Sequence, residues 1–362
     1  MFSNLNAILD RLISVGTPGN DCVVYKDGEC IYRKQRGFSD AENQIEMNGK
    51  ERYNLYSNSK FITCTAAMQL VEKGVISLDD PLYDYMPEFK KMQVKNPDGS
   101  LTQAKNPIKI SDLFKMTAGF SYWLDAPSLI EARKTTNGKM PTVEAMRALA
   151  NEPLHFEPST KWEYSLCHDV LGAVIEIASK KKFGEYIKEN IFDPLGMTSS
   201  TYNLPENELD TVCAQYRRDE NGVRQKCSTQ IQSYKLGSEY ESGGAGCIST
   251  VDDYIKFLEA IRKGDSILSA ESVKLMATDA LESINYDGYW FANKYGYGLG
   301  IRTPRKGSDR IDFGWDGAAN ACGAVVLEHN ITMYYGQHYL RMPEDYLKRD
   351  IIECVLKDLK LK

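Results

Sequence analysis

"LYSNSKFITCTAAMQLV" (residues 55–71) carries one charged side chain, Lys60, in a run of small and apolar residues. Phe61, Ile62, Ala66, Ala67, Met68, Leu70 and Val71 fall on most faces of a helix, and a helix apolar all round belongs in a core. Ser57 and Lys60 are three residues apart and so share a helical face. A serine hydroxyl is a poor nucleophile until a neighbouring base takes its proton. Lysine serves as that base once its pKa falls from about 10.4 to about 7–8, a differential of about 4 kcal/mol. Burial supplies the shift, because desolvation penalises the ammonium form. The helix N-terminus would also set backbone N–H groups beside Ser57 Oγ.

Spacing alone leaves the catalytic and the structural reading open. The chain holds two S-x-x-K spacings, Ser57–Lys60 and Ser179–Lys182. The second lies in the lysine run "SKKK" (179–182), which reads as a solvated helix end, whereas the first lies in an apolar context.

The rest of the chain bounds the possibilities. At 362 residues, 42% hydrophobic and 26% charged, it can bury a large core or two lobes sharing a cleft. A net charge of -6 with no basic block argues against nucleic acid as partner. No apolar stretch reaches the roughly 18 residues that span a bilayer. The N-terminal "MFSNLNAILDRLISVGTPGN" reads as an amphipathic helix (Phe2, Leu5, Ile8, Leu9, Leu12, Ile13), not a signal peptide. Nine scattered cysteines without a CxxC pair suit a reducing compartment, so a cytoplasmic location is expected. In "CVVYKDGECIY" the Asp27-Gly28 turn predicts a hairpin pairing Lys26 with Glu29 and Tyr25 with Cys30. Cys22 would then pair near Arg33, on the face opposite Cys30, and the two thiols should not bridge. The four histidines are dispersed, so no metal and no cofactor is expected.

Strand patterns occupy both ends of the chain, at 21–35 and in "YGYGLGIRT", "RIDFGWDG", "ACGAVVLEH" and "ITMYYGQH". Helical patterns fall at 57–74, 111–116, 143–151, 167–182, 183–190, 251–264, 269–280 and 344–358. The expected fold is mixed α/β. Residues 1–56 and 241–362 would build one antiparallel sheet flanked by helices, 57–240 a mostly helical lobe, and the active site would lie in the cleft between them.

Five segments, in order, resemble the serine β-lactamase and penicillin-binding-protein superfamily, most of all the class C β-lactamase-like proteins and family VIII carboxylesterases. They are "LYSNSKFITCTAAMQLVEKGVISLDDPLYDYMPEF", "ISDLFKMTAGFSYW", "FEPSTKWEYSLCHDVLGAVIEIAS", "DPLGMTSSTY" and "SGGAGCISTVDDYIKFL". The resemblance spans roughly residues 20–340. It implies Ser57 as acylated nucleophile, Lys60 as its proton acceptor and Tyr164 as the shuttle of the proton to the leaving group. The family's third motif falls at Trp315-Asp316-Gly317. There Gly317 would let the strand approach the substrate closely. The N–H groups of Ala318 and Ser57 would form an oxyanion hole, worth about 3 kcal/mol per donor.

Two departures bear on the substrate. Leu166 stands where the lactamases carry Asn in the tyrosine motif, and Trp315 stands where they carry a cation. Tyr-Ser-Leu and Trp-x-Gly resemble the family VIII esterases, which points to small neutral esters. A β-lactamase, D-amino-acid peptidase or acyltransferase of the same fold is the alternative, and a non-catalytic binding relative is a third. The substrate is expected to be a small-molecule ester or amide, and oligomeric state is not legible. Tyr122, Trp123, Tyr289 and Trp290 are candidates to line an acyl or alcohol pocket. Asp316 reads as a solvated turn residue without a role, and His168 as a surface helix histidine, since the chain has no G-x-S-x-G elbow.

Overall fold

The computed structural model describes residues 2–229, 231, 234–284 and 288–362. Its centre is an eight-stranded antiparallel sheet. The strands are β1 (Gly19–Lys26), β2 (Glu29–Asp40), β3 (Ile45–Glu46), β4 (Tyr295–Tyr297), β5 (Arg302–Pro304), β6 (Phe313–Asp316), β7 (Cys322–Val326) and β8 (Ile331–Gln337). Their order is β4-β5-β6-β7-β8-β1-β2-β3, so the first strand of this sheet docks beside its last and the sheet is built from both ends of the sequence. The β1–β2 hairpin turns at Asp27-Gly28 with Lys26 opposite Glu29 and Tyr25 opposite Cys30. A bulge between Val24 and Tyr25 moves the partner of Cys22 one place, from Arg33 to Lys34. Cys22 is buried, Cys30 is exposed, and neither is bridged.

Strand alternation divides the core. Cys22, Val24, Ala324, Val326, Met333 and Tyr335 meet helices α1 (Ser3–Ser14) and α10 (Ile351–Asp358) on one face. Val23, Val325 and Tyr334 face the other way, towards α2 (Ser59–Glu72) and α8 (Val251–Lys263). Between β2 and α8 the chain runs through α2, α3 (Ile110–Lys115), α4 (Pro127–Thr135), α5 (Thr142–Ala148), α6 (Cys167–Ser179) and α7 (Phe183–Ile187); α9 (Ala270–Met276) follows α8. α2 and α6 pack on each other, with residues 59–70 of the first and 167–175 of the second all buried, which is why those stretches show no polar stripe.

Four expectations are corrected. α4 is absent from the sequence reading; of its side chains only Leu129 is fully buried, so it carries almost no apolar periodicity. The helix expected at 344–358 is a 3-10 stretch at Asp345–Asp350 followed by α10. His168 is fully buried, because α6 is covered by α2, α3 and α5 and leaves it no outer face. Its Nε2 lies 3.2 Å from the Phe114 carbonyl and 3.5 Å from Cys64 Sγ, and burial pushes its pKa down to about 3. Asp316 is no solvated turn residue. It is the buried last residue of β6, with Arg302 Nη1 of the adjoining β5 at 2.6 Å.

Candidate active site

The chain enters α2 through a tight 3-10 turn, Tyr56–Asn58, in which Tyr56 takes a positive φ of 48°. A bulky residue in that region costs about 1–2 kcal/mol. The contact between Tyr56 Oη and Gln215 Oε1 holds it there. The turn brings Ser57, partly exposed, to the head of the buried helix and puts Lys60 one turn inward at 0% exposure.

Lys60 Nζ lies 3.2 Å from Ser57 Oγ and donates to the Gly244 carbonyl at 2.7 Å. Burial lowers its pKa to about 8, against the nearby acid Asp169, which raises it. Tyr164, just before α6, sets its Oη 2.5 Å from Ser57 Oγ. Burial raises this phenol well above its ordinary value, with the hydrogen bond to Ser57 opposing. The amine also sits 4.6 Å from the centroid of the Tyr164 ring and 5.3 Å from that of Tyr122, within cation–π range. The structure therefore joins Ser57, Lys60 and Tyr164 in one contact set: a hydroxyl flanked by a dry amine and a phenol.

The strand motif meets this set from the sheet. Trp315 stacks beyond Tyr164 at 6.2 Å between ring centroids, and Gly317 follows at the end of β6. A methyl group on Gly317 would stand 2.6 Å from the Leu55 carbonyl, so only glycine lets the two segments come this close. Asn58, fully buried, ties them together. With its amide turned to satisfy both atoms, Nδ2 donates to the Trp315 carbonyl (2.7 Å) and Oδ1 accepts from Gly317 N (3.2 Å). The N–H groups of Ser57 and Ala318 find no acceptor among the described residues outside the helical turn itself.

Other expected site residues fall differently. Leu166, 1% exposed, is sealed in the core at the N-cap of α6 and offers no surface to a ligand. Trp315 is likewise buried and reaches the site as a wall behind Tyr164. Tyr122 stacks on Tyr164 at 5.3 Å, while Trp123 is exposed. Tyr289 is buried, whereas Trp290 is exposed with its ring edge-on to Tyr164 at 5.1 Å. The sequence reading missed Asn58, Asp169, Gly244 and Tyr234, whose ring lies 5.7 Å from Tyr122. The signal for Asn58 was its place inside "SNSK"; for Gly244 it was the glycine cluster of "SGGAG". A cavity of about 440 Å³ lined by Asn54, Tyr202, Gly246 and Ile248 includes none of Ser57, Lys60 and Tyr164, and it holds no part of this chemistry.

Known proteins resemble this chain in sequence and in fold. Esterase EstB of Burkholderia gladioli is 30% identical over 288 residues, covering 74% of this chain and 71% of that one. Among solved structures, EstCE1, described as a hydrolase with promiscuous acyltransferase activity, superposes with a TM-score of 0.77 at 22% identity over 97% of each chain. The D-amino acid amidase of Ochrobactrum anthropi SV3 gives 0.74 at 20% identity over 99% of this chain and 98% of that one, so these two likenesses speak for the fold. The Beta-lactamase family model matches residues 5–349, nearly the whole chain, and with the 30% identity to EstB this places the protein in the beta-lactamase family.

Proposed function

We propose that this protein is a serine hydrolase working through an acyl-enzyme, and that its substrates are small neutral carboxylic esters. The observation that carries the reading is the dry Lys60 amine within reach of Ser57 Oγ, with Tyr164 Oη on the same oxygen. Ser57 Oγ attacks the ester carbonyl as its proton passes to Lys60. Tyr164, close to both, relays that proton to the departing alkoxide, which leaves as alcohol. The Ser57 and Ala318 amides hold the oxyanion. Water then enters, gives up a proton to the same pair and releases the acid. The site is read as lying in the cleft between a sheet lobe (1–56 and 241–362) and a helical lobe (57–240).

Neutral esters are favoured over anionic amides by the third motif. It places the buried Trp315 where the lactamases carry a cation, and Arg302 of the adjoining strand β5 is already committed to Asp312 and Asp316. The esterase EstB at 30% identity supports the same choice. Nine unpaired cysteines support a cytoplasmic setting.

A panel of p-nitrophenyl esters, run beside Ser57→Ala, tests the proposal: short esters should be hydrolysed by the native protein and not by the variant. Faster hydrolysis of nitrocefin or a D-Ala-D-Ala peptide would reverse the order of substrates. Failure of the native protein to react with a fluorophosphonate probe would overturn the acyl-enzyme itself.

A further inference from the structure

Lys60 is enclosed from several elements. Ser57 approaches from the 3-10 turn, Cys64 from α2 itself, and Cys167, His168 and Asp169 from α6. The rings of Tyr122, Tyr164 and Tyr234 close the rest. Burial raises the thiols of Cys64 and Cys167 and the three phenols, and lowers the imidazole, so none of these carries charge near neutral pH. Asp169 is the one carboxylic acid in the set.

Its placement is specific. Asp169 is 1% exposed; Oδ1 accepts from Tyr240 Oη at 2.7 Å and from Ser242 Oγ at 2.6 Å. Oδ2 is buried and without a hydrogen-bond partner among the described residues. A methyl group built on Gly244 would stand 2.4 Å from this Oδ2 and 3.3 Å from Lys60 Nζ. The space that a side chain at Gly244 would fill therefore lies between acid and amine, and no ion pair within 4.0 Å joins them. An unpaired carboxylate oxygen held behind one glycine is a poor stabilising device on its own, since buried polar atoms without partners cost free energy. It makes sense as a fixed charge for a neighbour that becomes cationic.

We propose, building on the serine-hydrolase reading above, that Asp169 is a positioning residue acting through Lys60. Its carboxylate, held by Tyr240 and Ser242 behind Gly244, stabilises the ammonium that forms when Lys60 takes the Ser57 proton. Without it, the same burial would leave the amine a weaker base towards the hydroxyl. With it, the pocket stays dry and the base stays competent, whereas a direct ion pair would hold the lysine protonated.

The test is kcat/KM for p-nitrophenyl acetate against pH in the full chain, for wild type, Asp169→Asn and Tyr240→Phe. Asn keeps the two accepted hydrogen bonds but removes the charge. Its acid limb should move down by about one pH unit, with a plateau about tenfold lower because the base is weaker. Tyr240→Phe takes one donor off the carboxylate and concentrates its charge, so its limb should move the opposite way, to higher pH. An Asp169→Asn protein whose limb stays in place while only its rate or unfolding temperature falls would overturn the proposal, leaving Asp169 a structural group. Should that variant fail to fold, Tyr240→Phe decides, and an unmoved limb there overturns the proposal equally. Ser57→Ala separates the two readings, since activity retained in that variant sinks the serine mechanism itself.

Discussion

Tyr164 Oη lies 2.5 Å from Ser57 Oγ, nearer than the 3.2 Å of Lys60 Nζ, yet the closer group is the weaker candidate for base. Burial raises the phenol and lowers the amine to about 8. Near neutral pH the phenol keeps its proton while an appreciable fraction of Lys60 has lost one. Tyr164 can therefore pass a proton along but not remove one unaided. The expected kcat/KM for a p-nitrophenyl ester rises with pH, because the neutral amine is the active form, and reaches half its maximum near pH 8. A limb centred near pH 6 would instead implicate a histidine, and among the described residues none makes a hydrogen bond to Ser57.

Tyr164→Phe isolates the relay. The ring would stay stacked between Tyr122 and Trp315, so packing is preserved and only the hydroxyl is lost. General acid–base groups contribute about 10²–10⁴-fold, and kcat should fall within that range. Stability should change by only about 1 kcal/mol, the worth of one hydrogen bond, as read by urea unfolding.

Gly317→Ala probes the approach of strand to nucleophile turn. The added methyl would meet the Leu55 carbonyl at 2.6 Å and the end of the Asn58 amide at 3.2 Å, so the end of β6 must move away from Ser57. Displacing the Ala318 amide from the reacting carbonyl should cost kcat about 10²-fold or more, with a smaller effect on KM. Equal kcat in the variant would show that this amide takes no part.

Much of this was legible in the residues, and what was not has physical causes. "SNSKFITCTAAMQLV" announced a buried helix because α2 has no polar face to confuse its pattern. The Asp27-Gly28 hairpin and the strands of both ends followed from alternation and turn chemistry. His168 was misjudged because a helix covered on all sides gives a polar residue no outward position to reveal itself. Asp316 was misjudged because its partners are distant in sequence: Arg302 from the adjoining strand and Arg349 from beyond β8. Asp169 and Gly244 meet Lys60 only through the fold.

Asp316→Ala should show how much that buried charge set matters. Arg302 is fully buried between Asp316 (2.6 Å) and Asp312 (3.1 Å), and Arg349 Nε adds an ion-pair contact with Asp316 at 3.2 Å. Burial pushes the Asp316 pKa up, but Arg302, Lys348 and Arg349 outweigh it and hold it below the usual range. Removing one partner leaves buried cations short of compensation, at a cost of about 3 kcal/mol. A depressed carboxylate contributes stability above its unfolded pKa and loses it as pH falls through the folded value. The gap between wild type and variant in urea unfolding should therefore be full at neutral pH and shrink in acid.

Lys60→Met turns the same bookkeeping around. An unfolded lysine titrates near 10.4 and the folded one near 8, so the unfolded chain binds more protons between those values. Wild-type stability should rise with pH across that window. Below pH 8 the cost of the buried ammonium is fully present, at about 3 kcal/mol. Methionine has a similar shape without the charge. It forfeits the donation to the Gly244 carbonyl, about 1 kcal/mol, together with the longer contact to Ser57 Oγ and the cation–π contacts with Tyr164 and Tyr122. Near pH 7 the variant should be more stable than wild type by about 1–2 kcal/mol while esterase activity falls at least about 10³-fold. The stability difference should narrow as pH rises from about 8 and close only above about 10.4, where the wild-type amine is neutral in both states. A Lys60→Met protein less stable than wild type at pH 7 would mean that the lysine is held there by its contacts, not retained for its chemistry.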